Sequence, residues 1–200
     1  MRLFRRSIRL PDPLRRTLDA DEVVLAYSVA VNGVAVAATR QRLIVLGRAA
    51  AGQPSREQDP AVPDPGDSPS SVYWSEIAKA RLADGVLSVV PLEKVASLPD
   101  GTEILRDGDP LTFTFGRPAR LTDQVHSRVR RSVAASRHLP WPGAGGWLTA
   151  RRVAGRDGLV LQVRLDPGAD PAAAGFVDAA LLAGRELIDQ ASPGVTGVDD

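Results

Sequence analysis

His126 and His138 are the only imidazoles in 200 residues, and the chain has no cysteine. Zinc and its relatives are held by several His, Cys or carboxylate ligands at short spacing. Here twelve residues separate the two histidines and no HExxH frames them, so no metal centre is expected. The missing thiols also exclude disulfides and a cysteine nucleophile, and nothing marks an oxidising compartment; the expectation is a cytoplasmic protein. His126 falls on the polar side of a helical pattern without an identifiable nucleophile, which makes it a surface residue rather than a general base. The chain has no GxSxG elbow, no GxxxxGK phosphate loop and no GxGxxG after a strand. Gly143, Ala144, Gly145 and Gly146 could cradle an anion, yet a strand follows them instead of the helix N-terminus that would supply donors. Asp107 and Asp109 open like a calcium loop but lack the later spaced oxygens and the distal Glu, so they read as a turn. The residue types therefore point to a non-enzyme without a cofactor.

What remains is arginine and tryptophan. Basic residues number 25 and acidic residues 24, but they are unevenly distributed. Residues 117–156 hold nine arginines against one aspartate, whereas residues 157–200 hold two arginines against eight acidic residues. Such blocks either pair within the fold or leave a basic face for an anionic partner. The candidate binding residues are Arg120, Arg128, Arg130, Arg131, Arg151 and Arg152, together with Trp141, which sits between Pro140 and Pro142 and is suited to an exposed contact. Trp74 lies in a strand pattern and is expected in the core. Aromatic residues make up only 4% of the chain and are not interleaved with the arginines, so the stacking platform of a single-strand binder is absent. A protein partner is the leading expectation. The alternative is an anion binder that takes anionic lipid headgroups or nucleic acid through the basic 117–156 segment.

The elements that must position these residues follow from periodicity. Leu10, Leu14 and Leu18 recur every fourth residue behind Pro11 and Pro13, predicting a short helix over 11–19. Val23–Val29, Val34–Ala38 and Arg42–Leu46 read as strands, the first two joined around Asn32 and Gly33. The Arg-rich start lacks the apolar run of a secretory signal, and no apolar stretch is long enough to span a bilayer. From Gly47 to Ser71 come five prolines and almost no large apolar residue, predicting a flexible insertion over 48–70 that is dispensable for stability. Val72–Trp74, Ala78–Ala83, Val86–Val90, Glu103–Arg106 and Leu111–Phe115 follow as strands, with Asp84 and Gly85 as the strongest hairpin signal. Pro118 then opens a helix to Arg137 whose stripe is Leu121, Val125, Val129 and Val133. Trp147–Val153 and Leu159–Leu165 form a hairpin around Asp157 and Gly158. Asp170 and Pro171 start a last helix through Phe176, Ala180, Ala183 and Leu187.

Two stretches resemble the bacterial pleckstrin-homology-like (PH-like) family. The first is Ala38-Thr39-Arg40-Gln41-Arg42-Leu43-Ile44-Val45. The second is Val72-Tyr73-Trp74-Ser75-Glu76-Ile77, followed by Asp84-Gly85-Val86-Leu87-Ser88-Val89. The resemblance covers about residues 20–137 and implies an α+β, mainly antiparallel fold: a PH-like β-sandwich or barrel capped by one amphipathic helix. Some PH-like folds bind phosphoinositides through basic strand loops, for which Arg40 and Arg42 are the matching pair here. The whole chain is also similar to a group of actinobacterial proteins carrying the Arg151-Arg152 and Asp157-Gly158 hairpin, a likeness that implies no activity. The expected organisation is a lead-in over 1–20, a PH-like domain over 21–138, a β-hairpin plus helix extension over 139–192 docked on it, and a tail over 193–200. The implied role is a protein-interaction or scaffold module.

Overall fold

The computed structural model describes residues 9–47, 50–51, 69–116 and 120–192. Most of the expected insertion and the expected tail lie outside these residues. Within the insertion, Ala50–Ala51 form a two-residue strand, β4, and Ser70 opens strand β5 (Ser70–Tyr73). The fold is α+β, with mostly antiparallel strands and three helices among the described residues. No helix there is long and apolar enough to cross a membrane. The chain divides into two compact units, one of residues 1–91 and 109–129, the other of residues 92–108 and 130–200.

In the first unit, β1 (Val24–Val29), β2 (Ala35–Thr39), β3 (Arg42–Leu46) and β5 form one antiparallel sheet in chain order. The turn between β1 and β2 places Gly33 at φ 81°, a conformation that costs glycine little. A second set of pairings joins β6 (Ile77–Ala83), the first part of β7 (Val86–Ser97), β9 (Leu111–Thr114) and β4. Asp84 and Gly85 turn the β6–β7 hairpin with φ of 51° and 78°, as a two-residue loop with both central residues at positive φ requires. Helix α2 (Arg120–Ser132) places Leu121, Val125 and Val129 into a core with Val36, Leu43, Trp74, Leu87 and Phe113. The back of β2 and β3 is also buried. Ala35, Ala37, Ile44 and Leu46 meet Leu14 of helix α1 (Asp12–Arg16), with Leu10 and Leu18 beside it. The leucine ladder of the lead-in thus covers an apolar surface that alternation alone would leave exposed.

In the second unit, β10 (Val133–Leu139), β11 (Gly146–Arg151), β12 (Val160–Leu165), β8 (Glu103–Asp107) and the end of β7 form one sheet. Helix α3 (Phe176–Ala191) covers one face with Phe176, Ala180 and Leu187, against Leu148, Ala150, Leu161, Val163, Leu165 and Ile104. Two glycines here are positions of close approach. A Cβ on Gly145 would land on the Leu139 carbonyl, which belongs to the backbone, whereas one on Gly184 would meet the movable end of the Leu161 side chain. Gly145→Ala should therefore lower the urea midpoint more than Gly184→Ala, with a loss for Gly145→Ala above about 2 kcal/mol.

Three expectations about elements need correction. The helix predicted from Pro118 to Arg137 ends at Ser132, and Val133 begins a strand, because the Ser132 carbonyl is taken by the Arg152 N–H at 2.8 Å as pairing with β11 begins. Strand β7 does not stop at Val90. It runs through Pro91, whose missing N–H is tolerated where the β6 register shifts between Ile77 and Lys79. The last helix starts at Phe176, not at Pro171. Asp170 Oδ1 instead accepts the Ala172 N–H at 2.8 Å within a turn, and Gly175 at φ 77° separates that turn from the helix.

Candidate interaction surface

The candidate arginines are distributed over both units. Arg120 and Arg128 belong to α2 of the first unit, Arg120 exposed and Arg128 partly buried. Arg130, Arg131, Arg151 and Arg152 belong to the second, where the end of α2 meets the end of β11. The Arg152 N–H donates to the Ser132 carbonyl, and Arg152 Nη1 lies 3.4 Å from the Arg131 carbonyl. This junction brings Arg152 onto the Arg131 backbone at the end of the turn that carries Arg130, and all three arginines are exposed. Arg130 and Arg131 occupy the last turn of α2, where positive charge also complements the helix dipole. That effect is modest and does not consume their hydrogen-bonding capacity.

Arg151 is different. Only 4% of it is exposed, and Nη1 donates to Ser132 Oγ at 2.9 Å. Burial, aided by the charge of Arg164, pulls its pKa down to about 10, so it stays protonated at neutral pH. Its guanidinium is part of the interior, not of the exposed basic patch. Trp141, expected as an exposed contact, packs edge-on against Phe176 with ring centroids 5.7 Å apart and is partly buried beside the α3 core.

Three other arginines of the second unit meet carboxylates, whereas the exposed Arg156 and Arg185 meet none among the described residues. Arg106 lies 2.9 Å from Glu93, Arg137 3.3 Å from Glu186 and Arg164 3.6 Å from Asp107. Arg130, Arg131 and Arg152 have no carboxylate within ion-pair distance among the described residues. The acidic block thus neutralises part of the basic block, through Glu186 on Arg137, and none of its described carboxylates reaches these three.

The basic pair suggested by the PH-like resemblance is half occupied. Arg40 is exposed, but Arg42 is bound to Glu22 by Nε at 3.0 Å and Nη2 at 2.7 Å, and Nη2 also reaches the Thr17 carbonyl at 2.8 Å. Thr39 Oγ1 donates to Glu22 at 2.7 Å and accepts the N–H groups of Gln41 and Arg42. Trp74 closes the cluster, its indole N–H donating to the Thr39 carbonyl at 3.3 Å. Burial would raise the Glu22 pKa, but hydrogen bonds from Arg42, Thr39 and the Asp19 N–H, with the charge of Arg42, hold it below the usual carboxylate range. These residues tie the lead-in to the β2–β3 turn and are saturated with internal partners.

Trp147 is not among the candidate binding residues expected from the sequence. It is 38% exposed and meets His138 edge-on at 5.2 Å, while His138 Nε2 lies 2.7 Å from Asp166 Oδ2. The signal was present in strand parity: Leu148 and Ala150 must face the core, which turns Trp147 outward. Among the described residues no three His, Cys, Asp or Glu side chains gather to hold a metal ion. Comparison of the chain with family models, with curated proteins and with solved structures finds no match.

Proposed function

We propose that this chain is a non-enzymatic interaction module: the first unit a PH-like sandwich, the second presenting Arg130, Arg131 and Arg152 to an acidic segment of a partner protein. The PH-like reading is supported by the order of eight strands in two sets of pairings and a helix whose stripe enters their core. The binding reading rests on one observation. Arg130, Arg131 and Arg152, exposed around the α2–β11 junction, have no carboxylate at ion-pair distance among the described residues, while Arg106, Arg137 and Arg164 have one.

A protein is favoured over nucleic acid because the patch is short and carries no aromatic group. Trp141 is turned onto Phe176, and Trp147 stands four residues along β11 from Arg151, about 13 Å away at strand rise. A lipid surface is disfavoured because Arg42, half of the loop pair that would read headgroups, is held by Glu22.

Affinity capture from nuclease-treated native lysate at moderate salt tests the reading. The expected result is one stoichiometric protein, bound at least about tenfold more weakly by the Arg130→Glu, Arg131→Glu variant, whose melting temperature stays unchanged. Recovery of nucleic acid or anionic lipid alone, with binding that falls steeply with salt and disappears in the variant, would overturn it.

A further inference from the structure

Helix α3 delivers the chain, at Ser192, to the end of the second unit where Arg130, Arg131 and Arg152 stand. The helix begins over Gly146 and its partner Leu165, with Phe176 3.4 Å from where a Gly146 side chain would start. By Gly184 it has advanced to Leu161, which pairs with Ala150. It therefore runs along β11 toward Arg151. Eight further residues to Ser192 add about 12 Å at the helical rise, and two from Ala150 to Arg152 add about 7 Å at the strand rise. Ser192 is thus roughly level with Arg152. The end of α2 lies here too, since Val133 pairs with Arg151 and the Ser132 carbonyl takes the Arg152 N–H. Strand parity with Ala150, which packs in the α3 core, puts the Arg152 side chain on the α3 side of the sheet.

We propose that residues 193–200 fold back onto Arg130, Arg131 and Arg152 and compete there with the partner's acidic segment, an inference that rests on the reading of this patch given above. The sequence Pro193-Gly194-Val195-Thr196-Gly197-Val198-Asp199-Asp200 has two charged side chains, both negative. Eight residues span up to about 26 Å, ample for carboxylates tethered at this end of the sheet to meet arginines at the same end. The last turn of α3 carries no basic residue, so the exit itself does not hold them. The exposed Arg156 and Arg185 offer only single charges: Arg156 has Asp157 beside it in the chain, and Arg185 lies about two turns back along α3. Asp157 and Asp189, exposed at this end of the unit, form no ion pair among the described residues, so neither occupies the patch. Buried Arg151, protonated at neutral pH, adds positive charge behind it. Exposed ion pairs are individually weak. A short tether nevertheless holds these at an effective concentration of millimolar order, which suits a latch that a partner can displace.

Because the chain has no cysteine, Thr196→Cys takes a single nitroxide label in the full protein. The label should broaden the amide resonances of Arg130, Arg131 and Arg152 at least about twofold more than those of Arg156 and Arg185. Salt at 0.5 M (about a 4 Å screening length), Asp199→Asn with Asp200→Asn, or Arg130→Glu with Arg131→Glu should each remove the excess. In parallel, a hexa-aspartate peptide followed by fluorescence anisotropy should bind the Asp199→Asn, Asp200→Asn protein at least about threefold more tightly than wild type. Broadening that is indifferent to salt and to the Asn substitutions, that centres on Arg156 or Arg185, or that arises only between labelled and unlabelled copies in a mixed sample would overturn the proposal. Equal binding of hexa-aspartate to both proteins, lost with Arg130→Glu and Arg131→Glu, would also overturn it while leaving the patch as a site for acidic segments. Salt-sensitive broadening without any hexa-aspartate binding would uphold the tail contact and overturn the reading of the partner.

Discussion

Glu22→Gln should cost the first unit about 2–3 kcal/mol, because it removes the buried counter-charge of the Arg42 guanidinium and leaves it only the exposed Asp19 carboxylate at 3.4 Å. The Glu22 side chain has no solvent exposure and that of Arg42 only 13%, so solvent cannot replace the lost partner. The amide keeps the shape of the carboxylate but only one accepting oxygen, and its NH2 would face donors of Thr39, Arg42 or Asp19, so the loss reports charge and acceptor rather than packing. Urea denaturation at neutral pH reads it as a fall in midpoint at unchanged slope. Replacing both partners with apolar residues, Glu22→Leu with Arg42→Met, should recover part of the loss, since removing a buried pair costs less than breaking it. A Glu22→Gln protein as stable as wild type would show that the pair is a passive surface contact.

The same pair predicts a pH dependence with a definite sign. The folded-state pKa of Glu22 lies below its unfolded value, so the folded protein favours the ionised form. Its contribution is complete above the ordinary carboxylate pKa of about 4.3 and is lost as pH falls through the lower folded-state value. Wild type should therefore lose stability on acidification by more than Glu22→Gln does, and the two stability curves should converge at the acid end. Parallel curves would mean that Glu22 titrates alike in both states.

This cluster also shows where sequence reading stops. Thr39, Arg40, Gln41 and Arg42 announce a turn and a strand by residue type alone, and Arg42–Leu46 is a strand with those bounds. The partner of Arg42 is not announced. Glu22 lies twenty residues upstream, between the lead-in and the first strand, and nothing local says that its carboxylate is buried. Likewise the hairpins at Asn32-Gly33 and Asp84-Gly85 are legible because positive φ is a local demand. The parallel pairing of β12 with β8 is not, since Gln162 and Glu103 are 59 positions apart and either strand is equally content beside an antiparallel neighbour. For the binding surface, the arginine block is visible in composition. Which arginines are open depends on where Glu93, Glu186 and Asp107 fall, and on the burial of Arg151, and those are properties of packing.

The end of α2 makes the limit measurable. Leu121, Val125, Val129 and Val133 are spaced as one helical stripe, and Ala134, Ala135 and Arg137 are all compatible with continuing the helix. In the structure the first three are buried at 1%, 0% and 8% exposure, whereas Val133 opposes Arg151 on β11 and is only partly buried. Strand pairing over seven residues has outweighed helix propensity, which amounts to a few tenths of a kcal/mol per residue. The two environments predict unequal costs for the same substitution. Val125→Asp buries a charge in the first unit's core and should cost more than about 4 kcal/mol, enough to abolish the cooperative urea transition and collapse amide NMR dispersion. Val133→Asp should cost no more than about 2 kcal/mol and leave the spectrum dispersed, because a partly exposed strand position lets the carboxylate reach water. Equal losses at the two positions would mean that the helix continues through Val133 as its spacing suggests, and that the β10–β11 pairing does not begin there.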